Sequence, residues 1–263
     1  MLQTTHRIDQ LFQQKKGNIL SVYYTAGFPQ LDNTVRVAAY LQQAGADLIE
    51  IGMPYSDPLA DGPTIQDSSQ RALDSGMSIK VLLEQLQDIR STVDIPLILM
   101  GYLNPVIQYG VEKFCEQCQH IGVDALIIPD LPMQAYLNEY KELFESYGLY
   151  NIFLITPQTS EERIRLIDEH SHGFIYMVSS ASVTGAKGNI TEQQIDYFNR
   201  IQAMQLRHPQ LIGFGISNQE TFQQACQYAQ GAIIGSAFIK VLADSKDLKK
   251  DITAFINSIT KIG

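Results

Sequence analysis

Two carboxylates and a few glycines carry most of the chemistry that this sequence can offer. Glu50 sits inside Leu48-Ile49-Glu50-Ile51-Gly52, an otherwise apolar run. Desolvating a charge inside a buried strand is costly. The residue is therefore either half of an ion pair across the interior or a general acid/base whose pKa is raised by apolar surroundings. The loop that follows reads Met53-Pro54-Tyr55-Ser56-Asp57-Pro58-Leu59-Ala60-Asp61-Gly62-Pro63, and its three prolines and one glycine fix its shape. It carries Asp57 and Asp61, and spacing alone does not choose between them, because Asp before Gly or Pro is also common in plain turns.

A second set of signals suits an anion. Phe214-Gly215-Ile216-Ser217 and Gly235-Ser236 each end an apolar run and open a helical one, the first through a capping-box pattern, Ser217-Asn218-Gln219-Glu220. Glycine lets backbone N–H groups approach phosphate oxygens, a helix N-terminus adds its dipole, and Ser236 offers a hydroxyl. The segment 179–189, Ser-Ser-Ala-Ser-Val-Thr-Gly-Ala-Lys-Gly-Asn, has the small residues of a water-excluding lid or of a plain surface loop.

These residues need a frame. Apolar strand candidates fall at 19–24, 48–52, 97–101, 125–128, 151–155, 174–178, 211–214 and 232–234, with amphipathic stretches such as 34–43, 79–89, 136–147, 161–169 and 191–206 between them. Strands alternating with helices of that length predict βαβ units, and almost continuously apolar strands predict a parallel sheet covered on both faces. Gly17, Gly45, Gly122, Gly148, Gly173 and Gly231 end helical stretches where a left-handed cap is expected, and Pro96 and Pro209 precede the other strands. Eight units, with Thr25-Ala26-Gly27-Phe28-Pro29 where an open dinucleotide-binding sheet would carry its glycine-rich turn, favour a closed α/β TIM (β/α)8 barrel. The expected architecture is a single domain, 1–263, with an additional N-terminal helix at about 4–16. In such a barrel the site lies in the loops after the strands, with phosphate after strands seven and eight, and alternation turns Glu50 inward and Ile49 and Ile51 toward the helices.

The rest of the composition excludes several classes. A net charge of −9 argues against nucleic acid, and Lys246, Lys249 and Lys250 read as a solvated helix face. The polar start at 1–16 predicts neither signal peptide nor anchor, and no run approaches the ~20 apolar residues of a membrane span. The expectation is a cytoplasmic protein. Cys115 and Cys118 lack the second pair of a metal site and Cys226 stands alone, so no metal is expected. His170 and His172 precede strand six at the opposite end from the site, and His6, His120 and His208 lie on helices or at their ends. Nucleophilic catalysis of the histidine-assisted kind is not expected.

The long run from Glu50 through Gln66 closely resembles the tryptophan synthase alpha family. Thr25-Ala26-Gly27, Met100-Gly101-Tyr102-Leu103-Asn104-Pro105, Ile128-Pro129-Asp130-Leu131-Pro132, Ser182-Val183-Thr184-Gly185, Gly213-Phe214-Gly215-Ile216-Ser217 and Gly235-Ser236 do so too, in order along nearly the whole chain. The resemblance implies a lyase of tryptophan biosynthesis that splits indole-3-glycerol phosphate into indole and glyceraldehyde 3-phosphate by a retro-aldol step. It implies Glu50 as general acid/base and Asp61 as the carboxylate that stabilises positive charge on the indole nitrogen. Tyr176 would lie near Glu50, and Thr184 would meet Asp61 on lid closure. Gly185, Gly215, Gly235 and Ser236 would hold phosphate, and Tyr23, Leu99, Ile127 and Phe214 would line the indole pocket. No cofactor is implied for this chain. PLP belongs to a partner beta chain in an α2β2 complex, with Pro54, Asp57, Asn104 and Pro105 near the shared surface. The sequence departs from many relatives at Tyr23, often phenylalanine, and at Ser180, often arginine. A free-standing lyase with the same site, or another phosphosugar-binding barrel, remains open at this level.

Overall fold

The computed structural model describes residues 6–58, 61–179, 191–213 and 215–260. Strands β1 (Ile19–Thr25), β2 (Leu48–Gly52), β3 (Leu97–Met100) and β4 (Ala125–Ile127) pair in parallel in that order. The expected fifth strand is two short pieces, β5 (Tyr150–Asn151) and β6 (Leu154–Ile155), followed by β7 (Ile175–Val178), β8 (Gln210–Gly213) and β9 (Gly231–Ile234). The sheet order is β5-β4-β3-β2-β1-β9-β8-β7-β6, all neighbours parallel, so its two edges are halves of one stretch of chain. That stretch closes the ring: Ile152 N donates to Leu126 O at 2.9 Å on one side, and Tyr176 N donates to Phe153 O at 2.9 Å on the other. With the helices around it, this is a TIM barrel.

Alternation along each strand sorts its side chains. Leu20, Val22, Ile49, Ile51, Leu99, Leu126 and Ile212 belong to the layer between sheet and helices. Ile19, Leu48, Ile98, Ala125, Ile152, Phe174, Leu211 and Ile233 fill the interior. The helix Arg7–Gln14 precedes β1, shorter than the expected 4–16, and packs Ile8, Leu11 and Phe12 against those interior residues. It therefore stoppers the end of the barrel from which the strands start, and leaves the other end for chemistry.

An ion-pair network that periodicity could not reveal secures this stopper. Asp124, immediately before β4, accepts from Arg7 Nη1 at 3.0 Å, Arg90 Nη2 at 2.6 Å and the Leu97 backbone N at 2.8 Å. Arg90 also donates to the carbonyls of Gly122 and Ile95. Removing one partner from a buried pair strands the other charge, at roughly 3 kcal/mol. Arg90→Met is therefore expected to lower the folding stability by that order, read as a lower denaturation midpoint, while leaving turnover intact. A midpoint equal to that of the native chain would show the network to be energetically idle.

Among the expected glycine caps, Gly45, Gly122, Gly148 and Gly173 take positive φ. Gly17 and Gly231 do not. At the first boundary the left-handed residue is Asn18, φ 54°. Gly231 opens β9 and is required for a different reason: a Cβ there would lie 2.0 Å from the Ile19 carbonyl oxygen, so only glycine lets β9 approach β1. The predicted helix at 136–147 forms in two parts, a π-turn at Tyr136–Tyr140 and a helix at Lys141–Ser146.

Candidate active site

Glu50 is fully buried at the centre of β2, level with Tyr23 on β1 and Ile98 on β3. Its neighbours Ile49 and Ile51 face the helices, so period-two geometry turns the carboxyl into the barrel. No cation is paired with it among the described residues. Ser21 Oγ donates to Oε1 at 2.6 Å, and Oε2 has no hydrogen-bond partner. Burial pushes the pKa up to about 7, and the Ser21 hydrogen bond opposes that rise. The ion-pair alternative for Glu50 thus gives way to a carboxyl that can hold or release a proton near neutrality.

Asp61 stands two residues before the helix Pro63–Asp74, whose first position is the favoured one for proline. Gln66, in the first turn of that helix, donates to the Asp61 carbonyl at 2.9 Å and more weakly to that of Pro58 at 3.4 Å. One turn further, the Ser68 and Thr25 hydroxyls meet at 2.6 Å in the interior, which pins the helix to the end of β1. The Asp61 carboxyl accepts from Tyr102 Oη at 3.2 Å; burial raises its pKa to about 6 against that hydrogen bond. Asp57, the other candidate of the loop, is exposed and takes a hydrogen bond from its neighbour Ser56.

Two buried tyrosines stand over these carboxyls. Burial pushes the Tyr23 and Tyr176 hydroxyls up, and the charges of both Glu50 and Asp61 push the same way, so both phenols stay neutral. The Thr25 side chain supplies the polar neighbour that the Tyr23 hydroxyl needs. Glycine makes room for each ring. A Cβ on Gly52 would lie 2.1 Å from Tyr23 Oη, and one on Gly213 would lie 2.2 Å from Tyr176 Oη. Gly213→Ala is expected to displace Tyr176, lower the folding stability by about 1–3 kcal/mol and depress turnover. Native stability and rate in that variant would show that Tyr176 has space to move.

At the ends of β8 and β9 the register pairs Leu211 with Gly231 and Ile212 with Ala232. Gly215 and Gly235 follow shortly after the ends of these two strands. Gly215 has φ +83°, and Gly235 caps the helix Ser236–Asp244 without a side-chain hydrogen bond. The first backbone bond of that helix runs from Ile239 N to Gly235 O, so the earlier amides lack intrahelical acceptors and suit an anion. The neighbouring helix Gln219–Cys226 is capped one residue later than the sequence pattern placed it. Asn218 Oδ1 accepts from Thr221 N at 2.9 Å, and Thr221 Oγ1 accepts from Asn218 N at 3.2 Å; Ser217 and Glu220 do not fill these roles.

The sequence matches the family described as tryptophan synthase alpha chain over residues 9–261. The chain belongs to that family. Its relatives include the tryptophan synthase alpha chains of Flavobacterium psychrophilum, 58% identical, and Flavobacterium johnsoniae, 59% identical, each alignment covering 97% of this chain and 99% of the relative. Among solved structures, tryptophan synthase subunit alpha from Legionella pneumophila str. Paris superposes with a TM-score of 0.88 at 32% identity, covering 97% of both chains. The aminoacrylate-bound form of tryptophan synthase from M. tuberculosis gives 0.84 at 28% identity, covering 97% of this chain and 98% of that one. Tryptophan synthase alpha chains are enzyme subunits that cleave indole-3-glycerol phosphate and work with a beta chain.

Set against the family's site, the predicted residues divide. Glu50, Asp61, Tyr23 and Tyr176 come together electrostatically. Ile127 lies with the interior cluster. Leu99 does not: it belongs to the helix-side layer, and alternation gives the inward positions of β3 to Ile98 and Met100. Thr184, Gly185 and Phe214, the departure at Ser180 and all but Ser179 of the proposed lid lie outside the described residues. Of the surface residues, Asp57 and Asn104 are exposed, Pro105 is partly so, and Pro54 is buried. Asn104 Nδ2 donates to Tyr55 Oη at 3.5 Å, and nearby Ile107 is 49% exposed. Sequence reading missed Ser21, Tyr102, Gln66 and Ser68 as supports of the site. Ser21 was within reach, being two residues before inward-facing Tyr23.

No group of His, Cys, Asp and Glu side chains among the described residues is arranged to hold a metal ion. Cys115 and Cys118 lie buried in the helix Val111–Ile121, and burial pushes the Cys115 thiol up to about 12, far from a reactive thiolate. No helix of the described residues is long and apolar enough to cross a membrane.

Proposed function

We propose that this chain, as one barrel domain, is a carbon–carbon lyase that cleaves indole-3-glycerol phosphate with its own side chains. Glu50 Oε2 gives a proton to C3 of the indole ring, which leaves an iminium at the ring nitrogen. Asp61, as the carboxylate, accepts a hydrogen bond from that N–H and stabilises the positive charge. Ionised Glu50 then takes the proton of the glycerol hydroxyl beside the ring. The electrons of the breaking C–C bond return to the ring, releasing indole and leaving an aldehyde. Protons balance: one enters at C3 and one leaves the hydroxyl, both through Glu50.

The observation that carries this reading is the buried Glu50 carboxyl, uncompensated by any described cation, with one oxygen unpartnered and a pKa of about 7. Tyr23, Ile127 and Phe214 would line the indole pocket, with Tyr176 beside Glu50. Gly215, Gly235 and Ser236 would bind phosphate, with Gly185 joining them and Thr184 reaching Asp61. Asp57, Asn104 and Pro105 would face the beta chain in a cytoplasmic α2β2 complex. The cycle uses no cofactor in this chain, and PLP belongs to the beta chain.

The deciding assay is indole release from indole-3-glycerol phosphate by the purified chain, with and without a tryptophan synthase beta chain. Slow release that rises sharply with the partner is expected. Fast release indifferent to the partner would make this a free-standing lyase, and no release from a folded chain with a bound beta chain would remove the assignment.

A further inference from the structure

Ser21 lies on β1 in register with Leu48, one inward layer closer to the stoppered end of the barrel than Glu50, which is level with Tyr23. It is fully buried, and its hydroxyl spans the step to Glu50 Oε1 at 2.6 Å. It is the hydrogen-bond partner of that carboxyl among the described residues, and Oε2 is left without one. The other polar groups around the carboxyl are Tyr23 on β1, Tyr176 on β7 and Asp61 in the loop after β2, none of them a cation.

From this geometry we infer that Ser21 is a positioning residue for the reaction: its hydroxyl anchors Oε1 from the closed side and makes Oε2 the single oxygen that gives and retakes the proton. The assignment rests on the acid/base reading of Glu50. A serine O–H can donate to Oε1 whether that oxygen is the carbonyl of a neutral acid or part of a carboxylate. The anchor thus survives proton transfer, and the carboxyl need not rotate between its acid step and its base step. The bond is stronger to the carboxylate, so it also favours proton release and opposes the effect of burial.

The test is kcat, KM and the pH–rate profile of Ser21→Ala and Ser21→Thr, assayed beside Glu50→Gln in the complex with the beta chain. In Ser21→Ala, kcat is expected to fall roughly tenfold or more through misorientation, with KM unchanged. The high-pH limb should move to higher pH, a shift that altered packing alone does not produce. Ser21→Thr keeps the hydroxyl and should restore both the rate and the limb. Unchanged kcat and limb in Ser21→Ala, a change confined to KM, or a threonine variant that behaves like alanine would each overturn the inference. Native-like activity in Glu50→Gln would instead bring down the reading of Glu50 itself, so the two failures are distinguishable.

Discussion

Glu50→Gln is expected to abolish cleavage, lowering kcat by roughly 10³-fold or more, while the phosphate ligand still binds. The amide keeps the size and the acceptor for Ser21 but can neither donate an acidic proton nor take one back, and general acid/base catalysis alone is typically worth about 10²–10⁴-fold. The same substitution has a second signature. Glu50 is pushed up to about 7 from its ordinary 4.5 by burial, so its contribution to folding is fully retained below pH 4.5. Between pH 4.5 and 7 the unfolded chain ionises this residue and the folded chain does not, so stability is lost as pH rises through that window. The loss is on the order of 3 kcal/mol. Glu50→Gln should therefore equal the native chain in urea midpoint at pH 4 and exceed it at pH 8, while being inactive at both. Turnover near the native rate would take Glu50 out of the mechanism, and a variant no more stable at pH 8 would mean that the native carboxyl is better solvated than its burial indicates.

Asp61→Asn is expected to lower kcat by roughly 10²–10³-fold, the usual cost of losing one preorganised charge-stabilising group, with only a modest change in KM. The reason is differential binding: the ring nitrogen is neutral in the substrate and cationic only after C3 is protonated, so the carboxylate acts mainly on the later species. Tyr102 can still bond to the asparagine, so the loop should keep its place. Because Asp61 must be ionised and Glu50 protonated at the start, native kcat/KM should follow a bell, rising near pH 6 as Asp61 loses its proton and falling near pH 7 as Glu50 does. The Asp61→Asn profile should lack the low-pH limb. A variant that loses affinity while keeping kcat would rule out charge stabilisation at the ring.

The barrel was legible because its cause is periodic. Continuously apolar strands, amphipathic stretches and residues that stop helices recur along the whole sequence, and most have a direct structural counterpart, the caps expected at Gly17 and Gly231 and the unbroken fifth strand being exceptions. Glu50 was legible for the opposite reason, as a local contradiction of that pattern. Leu99 shows the limit. Its burial was foreseeable, but a strand buried on both faces has no polar side to set its phase, so alternation had to be fixed from Glu50 across the register. The Asp124 network with Arg7 and Arg90 was illegible because it joins residues far apart in sequence through single long side chains. The capping position at Asn218 escaped because serine, asparagine and threonine all make plausible caps, and only geometry separates neighbours one residue apart. Tyr102 and Ser68 reach the site from other loops and helices, a placement that one-dimensional spacing does not encode.

The pairing of β1 with β9 sets a condition on the birth of the molecule. Ile19 bonds beside Gly231, so the first described strand acquires one of its two neighbours only after β9, the last described strand, has been made. The helix Leu248–Thr260, made last of the described elements, then packs against Thr34–Ala44, made among the first. Until that point the nascent chain carries an open, apolar parallel edge of the kind that recruits other strands. The seam of this barrel can therefore be sewn only after every other described strand has been made, and its exposed edge is covered last.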